Sequence, residues 1–123
     1  MPDKFKTRRP PNEIRVKKDE KMLEVDFDDA SFRLTAELLR VESPSAEVQG
    51  HGPGQKTIVA GRRHVNIIGV EPVGNYAVRL KFDDLHDTGI YSWDTLYDMG
   101  VNQERLWADY LEALDAKGLS RDP

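Results

Sequence analysis

From Asn12 onward, apolar side chains recur at every second position in short runs separated by polar turns. Ile14 and Val16 alternate with charges, and after the polar stretch Lys17–Lys21, Leu23, Val25 and Phe27 alternate with Glu24, Asp26 and Asp28. A period of two marks a half-buried strand, so the two runs read as a hairpin. Asp28-Asp29 turns the chain into a third short strand through Phe32 and Leu34. Thr35 is then placed to cap a brief helix, Ala36 to Arg40, with Leu38 and Leu39 facing inward.

Residues 43–56 carry almost no large apolar side chain and read as the longest loop. Strands are expected to resume at Thr57–Ala60 and His64–Val70, joined by a hairpin turn at Gly61-Arg62-Arg63. Pro72-Val73-Gly74-Asn75 makes a further turn into a strand whose Tyr76, Val78, Leu80 and Phe82 share one face. An acidic turn, Asp83 to Asp87, precedes another strand and a short helix that Asp94 caps and Gly100 ends. Asn102 is expected to cap the last helix, where Leu106, Trp107, Tyr110, Leu111 and Leu114 form one stripe and Gly118-Leu119 fits a Schellman stop. Strands first and helices last give an α+β reading: a small, mostly antiparallel β-sheet domain with short helices and a C-terminal amphipathic helix.

The chain's 123 residues suit one domain, expected over residues 12–119 between a flexible basic leader (1–11) and a short tail (120–123). Residues 1–21 hold eight Lys/Arg against four Asp/Glu, and the remainder holds ten against eighteen. The leader is broken by Pro10-Pro11 and reads as a solvated arm. An acidic body argues against a nucleic-acid binder, which concentrates basic charge on its folded face. No apolar run approaches the roughly 20 residues that span a bilayer, and the N-terminus lacks the apolar region of a signal peptide. A cytoplasmic location is therefore expected. The absence of cysteine removes disulfides and thiolate chemistry.

Candidate chemistry is sparse. Gly50-His51-Gly52-Pro53-Gly54-Gln55-Lys56-Thr57 nearly matches the phosphate-binding pattern G-x-x-x-x-G-K-[ST], but Gln55 replaces the second glycine. The buried strand before and helix after that such a loop requires are missing as well. A shaped loop carrying His51 and Gln55 to a surface groove is the better reading. Asp83, Asp84, His86 and Asp87 offer hard oxygen ligands and one imidazole, yet a metal site needs three or four converging ligands. The alternative is an Asp-rich turn with solvated carboxylates. No G-x-S-x-G elbow is present and no serine has an evident histidine partner.

Leu38-Leu39-Arg40, the Ser43–Gln55 loop, Ile68–Val78 and above all Phe82-Asp83-Asp84-Leu85-His86-Asp87-Thr88-Gly89-Ile90-Tyr91-Ser92-Trp93 occur in an order that resembles the gamma-butyrobetaine hydroxylase-like N-terminal domain family. The likeness is greatest to its bacterial single-domain branch. In the hydroxylase this domain is non-catalytic and the iron lies in a separate, larger domain. A similar domain follows the P-loop carrier domain in some iron–sulfur cluster assembly proteins. The hydroxylase's domain binds zinc with three cysteines and one histidine, and the resemblance assigns that histidine to His86. The cysteines would fall in the loop after Leu38-Leu39-Arg40, where this chain has Ser43 and Ser45, and Leu85 stands where a glycine usually precedes the histidine.

The resulting expectation is a non-catalytic binding or accessory domain, serving a larger oxygenase or an iron–sulfur assembly factor. Its binding face is expected to be the loop with His51, Gly52, Gly54 and Gln55 beside the turn with Asp83, Asp84 and Asp87. No cofactor is expected, with zinc or iron as the alternative that the absence of cysteine weakens, since neutral serine hydroxyls do not replace thiolates as zinc ligands at comparable affinity. The competing reading is a small metal-handling protein in which His86 works with His51 or His64 and nearby aspartates.

Overall fold

The computed structural model describes residues 8–52 and 54–123. The basic leader expected over residues 1–11 lies outside these for its first seven residues. At Arg8 the guanidinium stacks 3.5 Å from the centre of the Tyr97 ring.

Two three-stranded antiparallel sheets form the framework. The first comprises β1 (Glu13–Lys17), β2 (Met22–Asp26) and β3 (Ser31–Thr35). Its register opposes Ile14 to Val25 and Val16 to Leu23, then Leu23 to Leu34 and Val25 to Phe32. The alternation read from the sequence therefore gives one apolar face. On the other face Glu24 accepts from Arg15 and from Arg33 on the flanking strands, at 2.8 and 3.0 Å.

Helix α1 (Ala36–Val41) follows without a loop, its first turn capped by the Thr35 hydroxyl, which accepts from the Leu38 N–H at 3.1 Å. All six of its residues are buried, including Glu37 and Arg40. Burying a charge is costly unless it is paired, and both are paired with residues far along the chain. The expected 43–56 loop holds a short helix, α2 (Ala46–Gln49), which Ser45 caps by accepting from the Glu47 N–H. Gly50 closes it with φ 73°, and a Cβ there would lie 2.6 Å from Gln55.

Residues 57–60 form no strand. Their polar groups bond elsewhere: the Thr57 N–H to the Val48 carbonyl, the Val59 carbonyl to the Tyr110 hydroxyl, and the Ala60 carbonyl to Arg62. Ile58, Val59 and Ala60 pack on a satellite core of Val41, Tyr110 and Leu114. The proposed hairpin at Gly61–Arg63 is absent for the same reason. The N–H groups of Gly61 and Arg63 donate to Ser120 and Arg121 instead, so the last residues are docked on the body.

The second sheet is β4 (Ile67–Val73), β5 (Ala77–Phe82) and β6 (Gly89–Ser92), with β5 central. His64 precedes this sheet on an exposed turn rather than starting its first strand. Val78, Leu80 and Phe82 share the core face as expected, but Tyr76 falls in the preceding turn and is exposed, its ring lying over Gly74.

The two helices expected at the C-terminus are one, α3 (Trp93–Ala116), capped by Ser92 rather than Asp94. Asn102, read as a cap, donates its side chain to the Asp98 carbonyl one turn back. Gly100 does not end the helix; it lies inside it, with the Phe32 ring in the place of its missing Cβ. The Schellman stop is present: Gly118 has φ 66°, Leu119 N–H donates to Leu114 and Gly118 N–H to Asp115. The main core lies between the two sheets and these helices. Among the described residues, no helix is long and apolar enough to cross a membrane.

Candidate functional site

The Asp83–Asp87 turn leaves the end of β5 and is fixed by its own backbone. Phe82 N–H donates to the His86 carbonyl at 3.0 Å and Leu85 N–H to the Phe82 carbonyl at 3.1 Å. Asp83 and Asn66 bond twice: Asp83 N–H to the Asn66 carbonyl, and Asn66 N–H to Asp83 Oδ1. Asp84 lies beneath the turn. Its Oδ2 accepts from Arg40 Nε at 2.7 Å and Arg62 Nε at 2.6 Å, and its Oδ1 accepts from the His86 N–H at 3.1 Å. Burial pushes this carboxyl up, but the His86 N–H and the Arg40 and Arg62 guanidiniums outweigh it and hold the group below the usual carboxylate range.

His86 is 5% exposed, so the imidazole of the turn is buried. Its Nε2 meets Ser43 Oγ at 2.9 Å and its Nδ1 meets Glu47 Oε2 at 3.2 Å. Burial first, and the Arg40 charge second, lower its affinity for a proton despite Glu47 and Asp84. Ser45 Oγ pairs with Thr88 Oγ1 at 2.8 Å. Ser43 and Ser45, standing where the resemblance places thiols, are thus the residues that tie the loop after α1 to the turn. Only the resemblance singled them out, because the two segments are more than forty positions apart.

Hydroxyl, imidazole and carboxylate in this order match the pairing of a hydrolytic triad. The Ser43 hydroxyl, however, is sealed. The residue is 0% exposed, its Oγ accepts from the Ser45 N–H, and it would lie 2.6 Å from a Cβ built on Gly89. A substrate carbonyl has no room to reach it, so the geometry acts as a brace. Tyr91, which donates to the Leu39 carbonyl, closes the other side, and burial pushes its hydroxyl well up.

The loop carrying His51, Gly52, Gly54 and Gln55 is closed on itself. His51 N–H donates to Gln55 Oε1 and Gln55 N–H to the Gly52 carbonyl. Lys56, the lysine of the near P-loop match, pairs with Glu42. Among the described residues, no hydrogen bond or ion pair joins this loop to Asp83, Asp84 or Asp87. The segment that bonds to the turn is Arg40–Glu47, through Arg40 to Asp84, Ser43 and Glu47 to His86, and Ser45 to Thr88. His51 and His64 are exposed and neither bonds to His86. Among the described residues, no three His, Cys, Asp or Glu side chains gather as a metal-holding group.

The outer surface of the turn carries Asp83, Leu85, Asp87 and Thr88. Leu85 is 86% exposed and has φ 72°, a left-handed backbone that costs an L residue about 1–2 kcal/mol. Among the described residues, the other non-glycine with positive φ is Lys21, in the β1–β2 turn.

Residues 14–97 match the family model described as "Gamma-butyrobetaine hydroxylase-like, N-terminal". Two solution NMR structures are each 48% identical with a TM-score of 0.83, one covering 94% of this chain and 91% of that chain, the other 100% and 92%. A crystal structure from Acidithiobacillus ferrooxidans ATCC 23270, of a protein of unknown function in the DUF971 family, is 43% identical with a TM-score of 0.62, covering 73% of this chain and 91% of that one. No curated protein matches the chain. With the α+β fold, the turn and its histidine in place, the chain belongs to the gamma-butyrobetaine hydroxylase-like N-terminal domain family.

Proposed function

We propose that this chain is a cytoplasmic, non-catalytic binding domain that serves a larger enzyme, either an oxygenase or an iron–sulfur assembly factor. The observation that carries this reading is the division of labour in the Asp83–Asp87 turn. Asp84 and His86 are consumed in holding it and Asp83 and Thr88 each give it one oxygen, while Leu85, Asp87 and the rest of the Asp83 carboxylate face solvent on a braced backbone. Polar groups displayed rigidly bind a protein surface with little loss of conformational entropy.

The partner classes come from where similar domains are fused, and the resemblance of residues 14–97 is their support. A metal-handling role gains nothing from the arrangement, because both ring nitrogens of His86 are already engaged by Ser43 and Glu47. The test is capture from the native cell lysate with the full chain and with Asp83→Asn/Asp87→Asn, followed by titration of each purified captured protein. Saturable binding that the double variant weakens at unchanged melting temperature is the expected result. Binding of equal strength by both proteins moves the recognition surface off this turn, and an absence of any saturable partner removes the reading.

A further inference from the structure

An exposed leucine by itself is unremarkable on a protein surface. Leu85 combines 86% exposure with a φ of 72°, so the fold holds a large apolar side chain where glycine or asparagine would sit with less strain. Nothing inside the domain benefits from the side chain. Yet its backbone is held firmly: Asp84 below it is gripped by Arg40 and Arg62, Asp83 before it exchanges two bonds with Asn66, and the Leu85 N–H is itself bonded. Strain that persists on such a frame points outward, to a contact made with another molecule.

The surroundings define that contact. Asp84 lies beneath the turn between Arg40 and Arg62, a cluster with one positive charge in excess, whereas Asp83 and Asp87 flank Leu85 as exposed carboxylates. Glu47, which reaches His86 from α2, has a side chain 65% exposed. An apolar knob flanked by two exposed carboxylates is the complement of an apolar pocket with positive charge on its rim. The same carboxylates oppose an anionic bilayer surface.

We infer that Leu85 is the anchor of this domain's docking surface: it inserts into an apolar pocket of a partner protein whose rim carries Lys or Arg, met by Asp83 and Asp87. The inference rests on the binding-domain reading above and supplies the chemistry of the partner. Central apolar anchors with a charged rim are the arrangement in which a few residues dominate affinity, and the rim sets the salt dependence of association.

The experiment places a photo-crosslinking p-benzoylphenylalanine at Leu85, Arg33 or Glu112 of the full chain in its native cells, and maps the crosslinked peptides. Affinity is then measured with the purified partner for the wild type, Leu85→Gly, Leu85→Met and Asp83→Asn/Asp87→Asn at low and high salt. The Leu85 probe is expected to label an apolar segment bordered by Lys or Arg. Leu85→Gly should weaken binding about tenfold or more, the size of a modest hot spot, with a melting temperature equal to or above the wild type. Leu85→Met should bind nearly as well as wild type, and the double Asn variant should bind more weakly with a shallower salt dependence. Wild-type affinity in Leu85→Gly, or a labelled segment without apolar residues, overturns the anchor. Partners labelled from Arg33 or Glu112 alone overturn it while leaving the binding-domain reading intact; labelling of a second copy of this chain overturns the assigned partner class. No specific label from any of the three positions removes both.

Discussion

Gly100→Ala sets two effects of opposite sign against each other at one atom. In the interior of a long helix, replacing glycine by alanine is worth about 1 kcal/mol of stability, and Gly100 lies well inside the 24-residue α3. Against this, the added Cβ would lie 2.3, 2.5 and 2.6 Å from three ring atoms of Phe32. Ordinary contact needs about an ångström more. The Phe32 ring is not free to withdraw, since it packs edge-on against Tyr97 at 5.2 Å and Phe27 at 6.2 Å. Overpacking of this kind costs about 1–3 kcal/mol, and disturbing two aromatic pairs adds roughly 0.5–1.5 kcal/mol for each. The net expectation is a loss of about 3 kcal/mol, or a melting temperature lower by roughly 12 °C for a chain of this size. Urea unfolding followed by circular dichroism measures it, with the midpoint falling and the slope unchanged. Repeating the substitution in a Phe32→Ala background removes the clash and should leave only the helical gain. A midpoint that rises for Gly100→Ala in the wild-type background refutes the packing argument.

Three further outcomes follow from the site. His86 binds its proton less readily in the folded chain than in the unfolded one. Its contribution is therefore complete above the unfolded value of about 6.5 and lost as pH falls below it. Asp84, held below its ordinary value, adds a second loss as pH falls through the carboxylate range. Melting temperature against pH should show both steps, and His86→Gln should remove the upper one; an unchanged upper step assigns it to another group. Arg121→Ala leaves the buried Glu37 carboxylate without its bidentate partner, whose bonds are 2.7 and 2.9 Å, and should cost about 2–4 kcal/mol. A thermal melt equal to wild type shows that the C-terminal contact contributes nothing. Excess chelator should leave the melting transition in place, because this fold is built without thiolate ligands; a large fall would reveal structural metal contributing to folding.

Period-two alternation determined the β1–β2–β3 sheet and the core face of β5 at Val78, Leu80 and Phe82, and residue type alone marked the Thr35 cap, because each depends on neighbours within a few residues. The Schellman stop at Gly118 was legible for the same reason, its bonds closing within one turn. The segment 57–60 has strand-like composition but no strand beside it, and only packing on α3 decided its role. Gly100 reads as a helix end until Phe32, from β3, is seen filling the space of its side chain. At the candidate site, the sequence marked the Asp83–Asp87 turn by its clustered carboxylates and single imidazole. Which members face solvent was settled by Arg40, Arg62, Ser43 and Glu47, brought there from distant stretches of the chain. Local pattern fixes conformation and amphipathicity, whereas burial of a charge or a ring depends on a partner supplied by the tertiary fold, and adjacent residues carry no record of that partner.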